Sequence, residues 1–294
     1  MSRIYDSLKR AQSGGDLAQL ASAGVQSIPT LNEGDAEVAA PSVSEFPHLA
    51  WNPDFSRLLS DESSDLVGVE QFRSLRSRMY QLQAKEHLKI VLICSALPEE
   101  GKTFVAANLA MAAAKQVSRK VLLIDADLRK PNLHVLFGAP SAPGLHGVLA
   151  GTSEVAEAIQ SGSIENLWFM PGGAPAANAA ELIGGGRTQM VLQSLASSFD
   201  WIFIDSSPVL PVSDAVLLSR SCDGVLLVAR SGITPHDALQ QAQQQFRDAR
   251  ILGVVLNAAT EHPRHGSYYY HYSGYSKKSK ATEHASAAQT SLQG

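Results

Sequence analysis

Six short apolar runs, separated by segments with helical periodicity, are the strongest constraint on the fold. Each run holds four to seven residues and is nearly continuous in apolar side chains instead of alternating with polar ones. The runs are LKIVLIC (88–94), VLLID (121–125), LWFM (167–170), WIFID (201–205), GVLLVAR (224–230) and ILGVVLN (251–257). Continuous apolar strands are typical of parallel sheets with helices on both faces. The sequence therefore predicts an α/β fold with a doubly wound, mostly parallel sheet.

Composition divides the chain into three parts. Residues 1–60 mix Ser, Gly, Pro, Ala and acidic residues without a sustained period, which predicts a flexible leader. Ile4 and Leu8 share a helical face near its start, and both a frayed chain end and a short docking helix explain them. Residues 61–260 contain the apolar runs and are expected to form one domain. Residues 261–294 are rich in His, Tyr, Ser, Lys and Gly, which predicts a disordered tail.

Charge and cysteine content exclude several classes of protein. The net charge is −4 and the pI is about 6.1, so the chain lacks the basic footprint of nucleic-acid binders. Cys94 and Cys222 are the two cysteines, and their wide separation argues against a disulfide framework or a zinc cluster. No run approaches 18 apolar residues, and the N-terminus lacks the apolar core of a secretory signal. We therefore expect a cytoplasmic protein.

The segment ALPEEGKT (96–103) predicts a phosphate-binding loop. It follows the first apolar run and precedes a helical segment, and in this order backbone N–H groups at the helix N-terminus surround a phosphate. Lys102 then reaches the β- and γ-phosphates, and the Thr103 hydroxyl binds Mg²⁺. Ala96 stands where the usual pattern has glycine, and the absence of G-x-G-x-x-G after this strand argues against a dinucleotide site. The candidate nucleotide-binding residues are Pro98, Glu99, Glu100, Gly101, Lys102, Thr103 and Phe104.

Three carboxylates follow two of the other runs. Asp125 and Asp127 come at the end of the second run, and Asp205 ends the fourth. Because ligands of open α/β sheets bind at the carboxyl edge, these side chains are placed to serve Mg²⁺, its waters or an incoming hydroxyl. Capping of the strand ends is the alternative. Asn257 closes the last run, and its spacing is equally consistent with reading an adenine edge and with capping a turn.

Five of the seven tyrosines lie close together in the tail. The surrounding segment is too polar and too rich in Gly and Ser to bury them. They are Tyr268, Tyr269, Tyr270, Tyr272 and Tyr275. A contact tail that uses tyrosine as an interface residue is one interpretation. The other is that mobile phenols accept a phosphoryl group, since phosphoryl transfer needs mainly positioning and charge neutralisation.

A helix is predicted between about residues 65 and 86. At 100° per residue, Phe72, Leu75, Met79 and Leu82 share one apolar stripe, which predicts a face that packs on the domain. A second stripe is charged and is expected to face solvent. Its members are Glu70, Arg73 and Arg76.

Together these motifs resemble the bacterial tyrosine autokinases of exopolysaccharide and capsule synthesis, over about residues 66–275. The resemblance rests on ALPEEGKT (96–103), VLLIDADLR (121–129), WIFIDSSPVLPVSDA (201–215), the Glu70-x-x-Arg73-x-x-Arg76 spacing and the tyrosine cluster. It implies a P-loop NTPase fold of the deviant Walker group. It also implies an ATP-dependent protein-tyrosine kinase that phosphorylates its own C-terminal tyrosines in trans and regulates exopolysaccharide polymerisation and export.

The same resemblance implies ATP and Mg²⁺ as cofactors and a role for each motif residue. By that resemblance Lys102 and Thr103 hold the phosphates and Mg²⁺. Asp125 and Asp205 serve the metal, and Asp127 assists deprotonation of the acceptor tyrosine. Glu99 is a departure, because the family commonly has glycine at this position of the loop.

Partners are implied in the same way. Subunits of the family form rings, and the E-x-x-R-x-x-R residues are the candidate oligomerisation contacts. Many members are fused to a membrane protein, whereas others work with a separate membrane-anchored polysaccharide co-polymerase as activator. We expect this chain to be of the separate type, held at the inner membrane by that partner. A cognate tyrosine phosphatase is a further expected partner, and nucleic acid is not.

Two rival functions come from other classes. Positioning or partitioning ATPases share the P-loop, but they resemble x-K-G-G-x-G-K-T, with a lysine where this chain has Leu97, and they lack a tyrosine tail. A catalytically silent nucleotide-binding scaffold of a polysaccharide export complex is the third alternative.

Overall fold

A seven-stranded sheet forms the centre of the computed structural model, which describes residues 41–60 and 65–259. The strands lie in the order β3-β4-β2-β5-β1-β6-β7, and all neighbours are parallel except the short edge pair β3 and β4. The strands are Ile90–Ser95 (β1), Val121–Asp125 (β2), Gln160–Ser161 (β3), Leu167–Met170 (β4), Trp201–Asp205 (β5), Gly224–Arg230 (β6) and Ile251–Asn257 (β7). All six predicted runs form strands, which confirms the predicted fold class.

Helices connect the strands and cover both faces of the sheet. The longest is α1, whose predicted apolar stripe packs against the core, with Met79 buried and Phe72, Leu75 and Leu82 partly buried. The helices are Leu66–Lys85 (α1), Lys102–Ala114 (α2), Leu133–Phe137 (α3), Leu145–Ala150 (α4), Val155–Ala158 (α5), Ala179–Gly184 (α6), Gly186–Ala196 (α7), Asp214–Ser219 (α8) and His236–Gln245 (α9). Within the described ranges, no helix is both long and apolar enough to cross a membrane.

Both faces of the sheet are buried over β1, β2 and β4 to β6, which explains their continuous apolar runs, whereas the edge strand β7 leaves Val254 and Leu256 exposed. In β1, Leu92 and Cys94 belong to the core on one face, whereas Val91 and Ile93 belong to the core on the other. Successive side chains of a strand point to opposite faces, so a strand covered on both sides needs apolar residues at every position.

Residues 41–60 pack on the domain, although they belong to the predicted flexible leader. The Phe46 ring stacks on Phe199 at 5.9 Å between centroids, and Trp51 contacts Phe137 and Phe169. Leu58 is fully buried. Isolated apolar residues in an irregular segment have no period, so pattern analysis missed them. The segment near Ile4, for which a frayed end and a short docking helix were both open, and the predicted tail, residues 261–294, lie outside the described residues.

Candidate active site at the carboxyl edge of the sheet

The strand order brings the predicted site residues to one place. Strands β2, β5 and β1 are neighbours and parallel, and Asp125 lies directly opposite Asp205 in the register. The loop that follows β1 leads into α2, which begins at Lys102. The phosphate loop and the two strand-ending carboxylates therefore meet at the carboxyl edge, as the sequence predicts.

Lys102 is the centre of this cluster. Its Nζ lies 3.1 Å from Asp127 Oδ2, 3.8 Å from Asp205 Oδ1 and 3.4 Å from Thr103 Oγ1. Burial alone lowers the pKa of Lys102, but the charges of Asp205 and Asp127 outweigh it and raise that pKa above its ordinary value. The ammonium group therefore stays charged and already lies among acidic oxygens, where a phosphate would compete for it.

Asp125 is held by backbone donors. Its Oδ2 accepts hydrogen bonds from the N–H groups of Asn132 and Leu133 at 2.9 and 3.0 Å, and its Oδ1 accepts one from Asp127 at 3.2 Å. Burial, followed by the charge of Asp205, nevertheless raises the pKa of Asp125 to about 7. A nearby cation would favour the ionised form of this carboxyl.

This raised pKa predicts a pH dependence of stability. The ordinary pKa of Asp125 is 3.8 and the native one is about 7, so between these values the native state binds more protons than the unfolded state. The contribution of Asp125 is fully present below pH 3.8 and is lost as the pH rises through about 7, with a slope of up to about 1.4 kcal/mol per pH unit. Urea unfolding with a chelator present measures it. We expect Asp125→Asn to remove this component, and an identical pH profile in the variant would contradict the assignment.

Asp205 presents an unsatisfied oxygen to the site. Its Oδ1 is buried and has no hydrogen-bond partner within the described part of the chain. Burial raises the pKa of Asp205, and Lys102 and the Thr103 hydroxyl oppose that shift. The charge of Asp205 is partly balanced by the Lys102 ammonium at 3.8 Å, but a buried acceptor that makes no hydrogen bond is still costly unless a ligand satisfies it.

The oxygen ligands at this site suit Mg²⁺ that is also bound by phosphates and water, and do not suit a metal ion held by protein side chains alone. Thr103, Asp125 and Asp205 offer hard oxygen ligands, which Mg²⁺ prefers. Over residues 41–60 and 65–259, no three His, Cys, Asp or Glu side chains converge closely enough to hold a metal ion. Mg²⁺ usually keeps several waters and binds through one or two carboxylates plus substrate phosphates. The site therefore suits Mg²⁺ brought with a nucleotide.

The phosphate loop has an unusual backbone. Gly101 has a φ of +92° and Glu99 a φ of +63°, so both lie in the left-handed region. A Cβ atom at Gly101 would overlap the amide nitrogen of Asn257, which explains the glycine. Glycine adopts a positive φ without strain, which fits its common use at the position of Glu99 in the loops of the family that the motifs resemble. Glu99 has the same left-handed backbone conformation, but its side chain makes that conformation strained.

Asn257 has a role that neither alternative from the sequence anticipated. Its Nδ2 donates a hydrogen bond of 3.0 Å to the backbone carbonyl of Glu100. The last strand of the sheet thus holds the phosphate loop directly. The Glu100 carboxylate is buried and bonded within the protein, so the predicted nucleotide contact of this residue would be made by its backbone N–H.

A half-buried ion pair beside the site was missed from the sequence. Arg129 donates two hydrogen bonds to Asp214, at 2.7 and 3.0 Å, and Asp214 is fully buried at the start of α8. Ser207 lies 3.5 Å from the same carboxylate. The pair joins the segment after β2 to the segment after β5. Both partners lie within the quoted motifs VLLIDADLR and WIFIDSSPVLPVSDA, which was the available signal.

Comparison with known proteins supports the same interpretation. A family model described as AAA domain matches residues 89–248. Tyrosine-protein kinase YwqD of Bacillus subtilis is 34% identical over 206 residues, which cover 69% of this chain and 86% of that protein. The chain belongs to the bacterial tyrosine-protein kinase family. Tyrosine-protein kinase wzc of Salmonella typhimurium is 32% identical over 228 residues, and there the match covers 76% of this chain but only 32% of the relative.

Solved structures place this tyrosine-kinase family member among P-loop folds. The chimerical protein CapA2B2 matches with a TM-score of 0.66 and 32% identity, covering 74% of this chain and 96% of that one. The septum site-determining protein MinD of Pyrococcus horikoshii, solved with Mg-ADP, matches with a TM-score of 0.51 and 30% identity, covering 57% and 70%. The predicted family and the P-loop fold are thus confirmed.

The predicted oligomerisation residues lie on α1, apart from the cluster around Lys102, and the predicted phosphoacceptor tyrosines lie outside the described residues. On α1, Glu70 and Arg73 are paired with each other and solvent-accessible, whereas Arg76 donates to the Ala112 carbonyl at 3.0 Å. The tyrosines at 268–275 lie outside the described residues.

Proposed function

We propose that this chain is an ATP-dependent protein-tyrosine kinase that phosphorylates its own C-terminal tyrosines, one molecule acting on another. The observation that carries the proposal is the convergence of Lys102, Asp125, Asp127 and Asp205 at a phosphate loop. The printed names of its relatives as tyrosine-protein kinases support the reaction class. Regulation of exopolysaccharide polymerisation and export is part of the proposal, by resemblance to the family.

ATP would bind with its β- and γ-phosphates at the N-terminus of α2. Backbone N–H groups at a helix N-terminus attract anions, and α2 begins at Lys102 directly after the loop. Lys102 would exchange its 3.1 Å contact with Asp127 for the phosphate oxygens. Because the lysine is already held at this place, little further ordering is needed for it to meet them.

Mg²⁺ would be held by the Thr103 hydroxyl and by Asp205, with Asp125 beside them. When bound, it supplies positive charge against the β- and γ-phosphate oxygens. The unsatisfied Oδ1 of Asp205 supports this assignment. Asp125 is fixed by three backbone N–H groups, so its orientation does not depend on the ligand.

The transfer step needs a proton acceptor, for which we propose Asp127. The phenolic oxygen of the acceptor tyrosine forms a bond to the γ-phosphorus as the bond to the β,γ-bridging oxygen breaks and ADP leaves. The phenolic proton passes to the Asp127 carboxylate. Once Lys102 turns to the phosphates, Asp127 loses the ion pair that occupies it here, so nucleotide binding itself would make the base available.

Assembly and location follow from the same family relationship. We propose a ring of subunits in which Glu70 and Arg73 contribute contacts, supported by their accessibility on α1. A membrane-anchored polysaccharide co-polymerase would complete or activate the site and hold the chain at the inner membrane. A cognate tyrosine phosphatase would reverse the modification.

A mixing experiment tests the kinase and the trans reaction together. One chain carries Lys102→Met and intact tyrosines, and the other carries Tyr→Phe at 268, 269, 270, 272 and 275. After incubation with Mg-ATP, we expect mass spectrometry to find phosphotyrosine at 268–275 on the Lys102→Met chain only in the mixture. Each chain alone is the control.

Other outcomes point to the rival functions. ATP hydrolysis without phosphotyrosine would contradict the kinase and favour a positioning ATPase, a class supported by the MinD likeness. Neither hydrolysis nor labelling would favour a nucleotide-binding scaffold. If the parent chain, which has Lys102 and all its tyrosines, is labelled but the Lys102→Met chain stays unlabelled in the mixture, the trans reaction is contradicted. The kinase activity itself would still be supported.

A further inference from the structure

Side chains at the ends of β6 and β7, and in the turn after β6, hold the phosphate loop at several points. Asn257, at the end of β7, donates to the Glu100 carbonyl at 3.0 Å, and Arg230, at the end of β6, lies 3.4 Å from the Glu99 carbonyl. Thr234, in the turn before α9, donates its hydroxyl to the Glu100 carboxylate. We call Glu100, Arg230, Thr234 and Asn257 the loop brace.

Glu100 is the central member of the loop brace. Its side chain is buried, and Oε2 accepts the backbone N–H of Leu97 at 2.8 Å while Oε1 accepts the Thr234 hydroxyl. Thr234 Oγ1 in turn accepts the N–H of Arg230 at 2.7 Å. The carboxylate thus connects the first residues of the loop, at Leu97, with the turn before α9, at Thr234. Hydrogen bonds to a charged acceptor in a buried place are stronger than neutral ones.

The loop needs such support because of Glu99. A non-glycine residue at a φ of +63° is strained, and strain of this kind persists only where the surroundings hold it. The carbonyl groups of Glu99 and Glu100 are the two that Arg230 and Asn257 contact. The loop brace therefore acts on the two peptide groups that directly follow the strained residue.

We propose that Glu100 and Thr234 are positioning residues that keep the phosphate loop in its nucleotide-binding conformation and link it to the turn before α9. The inference rests on the proposed binding of ATP phosphates at this loop. Without the loop brace, the backbone at Glu99 would relax to a negative φ, and the N–H groups at the start of α2 would no longer surround the phosphate. The loss would weaken ATP binding although neither side chain contacts the nucleotide.

The test uses the full chain and two pairs of variants. Glu100→Ala and Thr234→Val remove the contact, whereas Glu100→Gln and Thr234→Ser keep groups that form hydrogen bonds. Glu165→Gln and Thr152→Val are matched controls, because both residues are exposed and lie away from the loop. Thermal melting without nucleotide confirms that each variant is folded.

Two measurements separate the loop brace from the proposed function. Amide hydrogen exchange of residues 96–103 is measured first without nucleotide, and we expect faster exchange in Glu100→Ala and Thr234→Val but not in the controls. The dissociation constant for a fluorescent ATP analogue is measured next, and we expect about a tenfold increase in the same two variants. Glu100→Gln and Thr234→Ser should remain within about threefold of the parent.

A second change tests the role of strain at Glu99. Adding Glu99→Gly to Glu100→Ala should recover at least about threefold of the lost affinity, because glycine adopts a positive φ without strain. Three results would each overturn the proposal. They are amide exchange in Glu100→Ala that equals the parent's, an ATP affinity of Glu100→Ala that equals that of an ATP-binding parent, and no recovery of affinity on adding Glu99→Gly. A parent chain that binds no ATP would overturn the proposed function, and the exchange data would still decide for or against the loop brace.

Discussion

Lys102→Met is expected to lower kcat/KM for ATP in tyrosine phosphorylation by about a thousandfold. A preorganised charge that meets developing negative charge is worth about 10² to 10³ in rate, and this lysine also contributes to nucleotide binding. The ammonium group lies 3.1 Å from Asp127 and 3.8 Å from Asp205, so it is already in place for phosphate. Initial rates of phosphotyrosine formation at several ATP concentrations measure the effect.

Lys120→Met is the matched control, because Lys120 is exposed and lies before the opposite end of β2. We expect that variant to keep the parent activity. Lys102→Arg should also lose most activity, since a planar guanidinium does not replace the compact ammonium at a phosphate site. A Lys102→Met chain that is folded and retains more than about a tenth of the parent rate would contradict the assigned role.

Asp127→Asn is expected to give a different kinetic result, with kcat lowered by about 10² to 10⁴ and the dissociation constant of ATP changed by less than about tenfold. Asparagine keeps the shape of the side chain but cannot accept the phenolic proton. It also releases Lys102 from its 3.1 Å ion pair, so ATP binding should be retained or become tighter. Single-turnover labelling combined with nucleotide titration separates the two quantities.

Asp237→Asn, at an exposed position in the first turn of α9, serves as the control for this change. The two predictions together distinguish the roles of the paired side chains. Loss of binding with Lys102→Met and retention of binding with Asp127→Asn would separate the phosphate contact from the proton acceptor. A variant at Asp127 that loses ATP affinity as strongly as Lys102→Met would instead make Asp127 a binding residue.

Local patterns were sufficient to predict six of the seven strands that the described residues form. Strands buried on both faces require apolar side chains at every position, and for that reason β1, β2 and β4 to β6 were visible as runs. Strand β7 is also an apolar run, although its Val254 and Leu256 are exposed. The two-residue strand β3 and the packing of Phe46, Trp51 and Leu58 were not predicted, because two residues have no period and isolated apolar residues in an irregular segment do not repeat.

The candidate site was predictable in part, for a geometric reason. Parallel strands present their carboxyl ends at one edge, so Asp125 and Asp205 had to lie near the loop once their strands were neighbours. The bonds from Asn257 to the loop, from Glu100 to Thr234 and from Arg129 to Asp214 join residues 85 or more positions apart. No local pattern contains such a pairing.

The amino-acid sequence by itself thus determined that a phosphate loop lies between a buried strand and a helix, and that carboxylates stand at the ends of two other strands. It did so because periodicity and motif spacing are properties of short segments. Tertiary structure alone decided that Lys102 pairs with Asp127, that Asp125 is buried beside a second carboxylate, and that β6 and β7 hold the loop. Those features depend on which strands are neighbours and how closely they pack, and both are set by the whole sheet.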